Sequence, residues 1–185
     1  MKDRICKSCK SRFTPQRPLQ GVCSPKCAYA YQRLLKEKKE AKEWKVEKKE
    51  MKENLKTHSD YLRVLQVSFN TYIRFRDKGK PCISCNNKIK DKYDAGHYFS
   101  VGGYPALRFN EDNVHAQCVS CNQWLHGNLI MYAENLPKRI GFERTEILFN
   151  TKNTIAKLSI PEIKDKIKEY KLKLKQLNDN ILRRL

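Results

Sequence analysis

The chain has 185 residues, room for one modest domain with appendages, and a net charge of +19 from 39 Lys and Arg against 20 Asp and Glu. Such a field favours polyanions, nucleic acid first, although a charged surface kept for solubility gives the same count. The N-terminus lacks an apolar leader and no stretch approaches the roughly 20 apolar residues of a spanning helix, which excludes secretion and membrane insertion as expectations. Eight cysteines in four close pairs suit zinc better than disulfides in a chain this long, so a reducing compartment, the cytoplasm, is expected.

Residues 1–30 carry Cys6-x-x-Cys9 and, after a loop with Phe13, Pro15 and Pro18, Cys23-x3-Cys27. Four thiolates at this spacing predict a small zinc knuckle. It is too short to fold on a hydrophobic core, so the metal's binding energy is its folding energy. The knuckle has three open roles: holding DNA, touching a partner, or capping the helix that follows.

Residues 31–80 read as a charged helical region. Lys36 to Lys56 holds nine Lys and six Glu without Gly or Pro. Leu34, Ala41, Trp44, Met51, Leu55, Leu62, Leu65, Phe69 and Tyr72 follow one heptad-like register, interrupted by Glu37, Lys48 and His58. The run is either a solvated face over a packing stripe or a DNA-contacting arm. Thr57-His58-Ser59-Asp60 resembles a capping box and predicts a new helix start. Arg63, Arg74, Arg76, Lys78 and Lys80 ring the apolar face of residues 61–73. Arg74, Arg76 and Lys80 are candidate phosphate contacts, which would position DNA without reading its sequence. Gly79-Lys80-Pro81 stops the helix.

Residues 81–135 hold the densest chemistry. Cys82-x-x-Cys85 and Cys118-x-x-Cys121 bracket 32 residues that include Asp94, His97, Asn113 and His115. Four thiolates predict a closed structural zinc site with no open position for water, leaving any chemistry to the hard ligands and imidazoles around it. Tyr93–Phe99 is rich in strand formers, Gly102-Gly103 offers a positive-φ turn, and Ala106–Phe109 is expected to return as the second strand. A helix is expected from about Ser120 and ending at Leu136-Pro137. It would place Asn122 beside the metal cluster and His126 one turn later on the same face.

Residues 136–185 form a C-terminal helical arm. A short helix is expected over Glu143–Asn150. Ser159-Ile-Pro-Glu162 reads as a cap, and Ile163, Ile167, Tyr170, Leu174, Leu177 and Ile181 make a seam at 4-3-4-3-4 spacing. That seam needs a partner, either the 34–72 stripe of the same chain or a second copy. A two-fold homodimer would suit a substrate with two strands to cut.

The sequences D-A-G-H-Y (94–98), G-G (102–103), L-R-F-N-E-D-N-V-H (107–115), Q-C-V-S-C-N (117–122) and G-N (127–128) together resemble the His-Me finger (HNH-type) nucleases, and in particular the phage NinG family, also called Rap. The resemblance implies a structure-specific, divalent-metal-dependent endodeoxyribonuclease that cuts branched recombination intermediates such as Holliday junctions and D-loops. Its partners would be branched DNA and recombination proteins, and its place the host cytoplasm. His97 is then the general base. Asn113 orients the imidazole or ties the loop, and His115 hydrogen-bonds nearby or assists at the metal. Asp94, Asn122 and His126 are candidate ligands of a catalytic Mg²⁺ or Mn²⁺, whose preference is for hard oxygen donors. Arg108 is a candidate phosphate contact. Tyr98 and Tyr104 either stack on an exposed base or pack in the core. Gly96 directly precedes His97, where many such enzymes carry an acidic residue.

The expected architecture is helix-rich α+β: a zinc-stabilised ββα-metal module with long flanking helices and an N-terminal four-cysteine knuckle. A zinc protein that binds branched or single-stranded nucleic acid without cutting it, and a purely structural zinc-and-coil protein, are the competing readings.

Overall fold

A computed structural model describes residues 2–89, 92–154 and 157–183. The chain divides into two compact units, Met1–Lys56 and Thr57–Leu185. The division falls within the charged helical region delimited from sequence.

In the first unit, β1 (Arg4–Ile5) pairs antiparallel with β2 (Arg12–Phe13), with Arg4 opposite Phe13. Between them the chain doubles back through Lys10, whose φ of +64° is the left-handed step. The turn is closed by hydrogen bonds from Cys6 N to Ser11 O (2.9 Å) and from Lys10 N to Cys6 O (3.0 Å). Ser24 then caps α1 (Pro25–Asn54), its hydroxyl accepting from Cys27 N, with Pro25 in the first turn where no amide hydrogen is needed. The 30-residue α1 is about 45 Å long at 1.5 Å per residue. It buries none of its side chains. Lys36–Glu40 and Lys39–Glu43 pair at 3.8 Å on open surface, where they add little.

In the second unit, α2 (His58–Arg76) starts where the capping box predicts: Thr57 N donates to Asp60 Oδ2 (3.0 Å) and Asp60 N donates back to Thr57 Oγ1 (3.3 Å). α2 packs on the last helix, α5 (Ile160–Leu182), which opens with its own reciprocal Ser159–Glu162 cap. Tyr61, Leu65, Phe69, Tyr72 and Ile73 of α2 meet Ile163, Ile167 and Tyr170 of α5, with Phe69 and Tyr170 edge to face at 5.0 Å. The α5 seam therefore finds its partner in the same chain, in the 61–73 part of the long stripe. Ile181 lies outside the described side chains. Leu34, Trp44, Met51 and Leu55, the earlier part of the stripe, are exposed.

Beneath this helix pair lies a hairpin, and here the sequence reading needs correction. β3 (Tyr93–His97) pairs antiparallel with β4 (Val114–Cys118), not with Ala106–Phe109. Pro105–Leu107 instead forms a 3-10 turn, since Pro105 fixes φ and has no amide hydrogen for a ladder. Gly102 and Gly103 are not among the positive-φ glycines. Gly103 N donates to Ser100 Oγ (3.2 Å) in a side-chain-closed turn.

A second core gathers Ile83, Phe99, Leu107, Tyr132, Leu136 and Leu148, with Tyr98 and Tyr104 packed against it. Both tyrosines thus take the core role. Tyr132, Leu136 and Leu148 come from α3 (Leu129–Ile140) and α4 (Phe142–Thr151). α3 runs past Pro137 to Gly141, so Leu136-Pro137 does not end it. Pro137 sits in the last turn, where its single missing hydrogen bond is tolerated. The stop comes from Gly141 at φ +91°.

Candidate metal centres and active site

Each unit carries one cluster of four cysteines: Cys6, Cys9, Cys23 and Cys27 in the first, Cys82, Cys85, Cys118 and Cys121 in the second. In each, the sulfurs all lie within 4.8 Å of one another. The sulfurs of Cys9 and Cys23 are 3.6 Å apart, those of Cys23 and Cys27 3.5 Å, and those of Cys85 and Cys118 3.9 Å. A disulfide would bring them to about 2.05 Å. Four thiolates about 2.3 Å from a tetrahedral zinc stand roughly 3.8 Å apart, so the donor sets fit zinc.

The two clusters share one local design. Cys82 N donates to Asn87 O and Asn86 N to Cys82 O, with Asn86 at φ +57°, as Cys6 does with Ser11 and Lys10. Each turn aims backbone amides at its first sulfur. Burial alone would push the Cys6 thiol up. Amides of Cys23, Cys9 and Ser8 outweigh it and bring the thiol down to about 6. The Cys82 thiol is likewise lowered, by amides of Cys118, Cys85 and Ser84 against the effect of burial. Thiolates are the ligating form. Asn128 Nδ2 also reaches Cys121 Sγ (3.6 Å).

Asn122 directly follows Cys121, in a π-helical turn over Ser120–Trp124. Its Nδ2 donates to Asp94 Oδ2 at 2.9 Å, and Gln123 Nε2 donates to the same oxygen at 2.8 Å. The structure thus brings Asp94 and Asn122 together. It does not continue the helix to His126. The turn ends at Leu125, and His126 is exposed with φ +46°. The same-face spacing inferred for His126 requires an unbroken helix, so it does not apply.

His97 ends β3, and its Nε2 lies 3.0 Å from Arg108 O. A carbonyl only accepts, so in the neutral ring Nε2 carries the hydrogen and Nδ1 the lone pair. Burial, aided by the Arg108 charge, pushes the His97 pKa down, against the raising influence of the Arg108 and Ala95 carbonyls. Strand alternation puts His97 on the face shared with Ala95, Val114 and Ala116, and Asp94 on the opposite face with Gly96, His115 and Gln117.

Asn113 is fully buried and ties the loop. Its Oδ1 accepts from Phe99 N (2.8 Å), and its Nδ2 donates to Phe99 O and Leu107 O (both 3.0 Å). His115 is also buried, and burial pushes its pKa down. Its Nδ1 meets Arg76 at 3.1 Å and its Nε2 the Asp112 carbonyl at 3.1 Å. Gly96 has no room for a side chain: a Cβ would come within 2.9 Å of Gln117 Cβ and closer still to its amide oxygen. An acidic residue before His97 is therefore sterically barred.

The cationic candidates divide. Arg76 is half-buried and fully engaged, with Asp77, Glu111 O and Val114 O. Lys80 donates to Asp77 Oδ1 (2.9 Å), Arg74 to Thr71 Oγ1 (3.3 Å), and Arg108 Nε to Gln66 Oε1 (2.7 Å). The partner of both Arg76 and Lys80 is the residue that sequence reading missed. Asp77 is buried, and besides these two it accepts from Ala116 N (3.0 Å). It locks the end of α2 onto β4. At a helix end before Gly79-Lys80-Pro81, an aspartate carries no signal that separates it from a solvated residue.

These features define a helix-rich α+β protein with two small sheets and two four-cysteine, metal-competent clusters. The chain matches the family described as Bacteriophage Lambda NinG protein over residues 1–180. It is 37% identical to protein ninG of Escherichia phage lambda, covering 96% of this chain and 94% of the relative. It is 36% identical to protein ninG of Salmonella phage P22, covering 96% and 95%. The chain belongs to the NinG family. No solved structure matches it significantly. Among the described residues no helix is long and apolar enough to cross a membrane.

Proposed function

We propose that this chain is a His-Me finger (HNH-like) endodeoxyribonuclease that cuts branched DNA, such as Holliday junctions and D-loops, in the host cytoplasm. One observation carries the reading. Asn122, fixed one residue beyond a cluster cysteine, meets the Asp94 carboxylate on the strand that ends in His97. A hairpin, a helical turn and a thiolate cage thus gather hard oxygen donors on one face of the strand whose other face carries the His97 imidazole. The resemblance of the motifs within residues 94–128 to His-Me finger nucleases supports the same reading.

In the reaction, His97 Nδ1 takes a proton from water, the water oxygen attacks phosphorus, and the 3′-oxygen leaves. Nε2, anchored on the Arg108 carbonyl, orients the ring. Mg²⁺ or Mn²⁺, when bound, supplies charge neutralisation at the phosphate and leaving oxygen. Asp94 and Asn122 would hold it, once the Asn122 amide turns to present Oδ1. That turn gives up the Nδ2 bond to Asp94, which ligation by both oxygens would replace.

A second reading is favoured by a different observation. Asp94 is already engaged by two amides and faces away from His97. That suits a zinc-dependent protein that binds branched DNA without cutting it. The test is cleavage of a synthetic four-way junction and of a matched linear duplex, with Mg²⁺, Mn²⁺ or neither, by wild type, His97→Ala and Asp94→Ala. Junction-selective, metal-dependent cutting lost in both variants establishes the nuclease. Tight binding without cutting in all three proteins establishes the binder.

A homodimer, for its part, rests on α1, whose Leu34, Trp44 and Met51 stand 39%, 55% and 47% exposed along one register. Light scattering across micromolar concentrations tests it. A dimer mass that Trp44→Glu converts to a monomer supports it, and a monomer mass for wild type refutes it.

A further inference from the structure

Within the second unit lies a cavity of about 470 Å³ to which no role has been given. It lies where α2 and α5 begin, and two of its lining residues, His58 and Leu158, are joined by a hydrogen bond between His58 Nε2 and Leu158 O at 2.7 Å. Leu62, Phe109 and Leu158 supply apolar wall, while Arg108, Lys157 and Lys166 supply charge. No carboxylate lines it among the described residues.

An apolar slot with three cations and no acid selects a ligand with a flat apolar body and a negative tail. The volume falls within the usual range for small-ligand pockets. Arg108 also links the cavity to the proposed base, because its backbone carbonyl is the group that anchors His97.

We propose that this cavity takes one unpaired nucleotide of a branched DNA. The base lies against Leu62, Phe109 and Leu158, and the phosphates meet Lys157, Lys166 and Arg108. The proposal rests on the DNA-directed reading above but not on cutting. A nucleotide drawn from the branch point would hold the adjoining phosphodiester near His97 and give structure selectivity without base-specific hydrogen bonds.

The experiment is binding, in magnesium-free buffer, of a duplex with a single unpaired 2-aminopurine and of the same duplex fully paired. Wild type should bind the unpaired form about tenfold or more tightly, as one stacked base allows, with a change in 2-aminopurine fluorescence. Ala106→Trp fills the cavity and should level the two affinities. Lys166→Glu should weaken the preference and Lys166→Arg retain it. A zinc content of two per chain in each variant confirms folding. Equal affinity of wild type for the two duplexes overturns the proposal, as does a preference that survives both Ala106→Trp and Lys166→Glu. The assay needs no catalytic turnover, so a chain that never cuts DNA still passes or fails it.

Discussion

Asp77 shows how a charge can be placed in a core and held there. Burial alone would raise its pKa, but the neighbouring His115, with Nδ1 at 3.7 Å, and the hydrogen-bonded Arg76 and Lys80 charges win and hold it well below the usual carboxylate range. Replacing it with Asn leaves Arg76 only the more distant Glu111 carboxylate, at 4.0 Å, as counter-charge. Asp77→Asn should cost about 3–5 kcal/mol in urea unfolding. Because the folded-state pKa is depressed, the contribution is complete above the unfolded carboxylate value, about 3.9, and fades as pH falls below it. The gap between wild type and variant should therefore narrow in acid and stay constant through neutrality. A gap that widens in acid would reverse this assignment. At His97 the sign leads to a rate rather than a stability. Its pKa lies below 6.5 through burial, so the imidazole is already neutral near pH 7. Junction cleavage should rise with pH through an apparent pKa under 6.5 and be flat above it. A limb centred above 7 would point to another base.

At the scale of elements, the two clusters should fail separately. Cys6→Ser should release one zinc and melt β1–β2 while α2, α5 and the hairpin keep their protection in hydrogen exchange. Cys82→Ser should release the other zinc and loosen β3–β4, because the turn that carries it also donates Ile83 N to Ala116 O at 3.0 Å. Metal binding and folding are one event in such small sites. Much at this scale was legible. The four-cysteine spacings, the Thr57–Asp60 box, the Ser159–Glu162 cap and the α5 seam all stand in the sequence as local patterns, and local patterns survive folding. The partner of β3 did not. Val114 to Gln117 are buried on both faces, so β4 lacks the alternation that marks a strand, and the nearer Ala106–Phe109 looked more strand-like than Pro105 permits. His126 was misplaced for a related reason: Gly127, at φ +91°, follows a turn that ends four residues after it begins. Asp94 and Asn122 were named together only as candidate metal ligands; the amide-to-carboxylate hydrogen bond between them carries no sequence signal.

At the scale of the whole molecule, charge sets the terms. A net +19 implies many phosphate contacts if DNA is the partner. Affinity for junction DNA should fall by about 10³-fold or more between 50 and 200 mM salt. A flat response would remove nucleic acid as the partner and with it the nuclease reading. Alongside this stands α1, a rod with no buried side chain and nine lysines between Lys26 and Lys52. Beyond the end anchored by Cys27, little packing within its own chain defends it, and the monomer's helix is there held mostly by its own hydrogen bonds. To a protease that cuts after lysine, it is the most yielding part of the chain. Brief trypsin treatment should therefore part the molecule along this rod, leaving a resistant piece that starts near Thr57 and keeps its own metal. The two compact units would then prove separable, each keeping its own four-cysteine cluster.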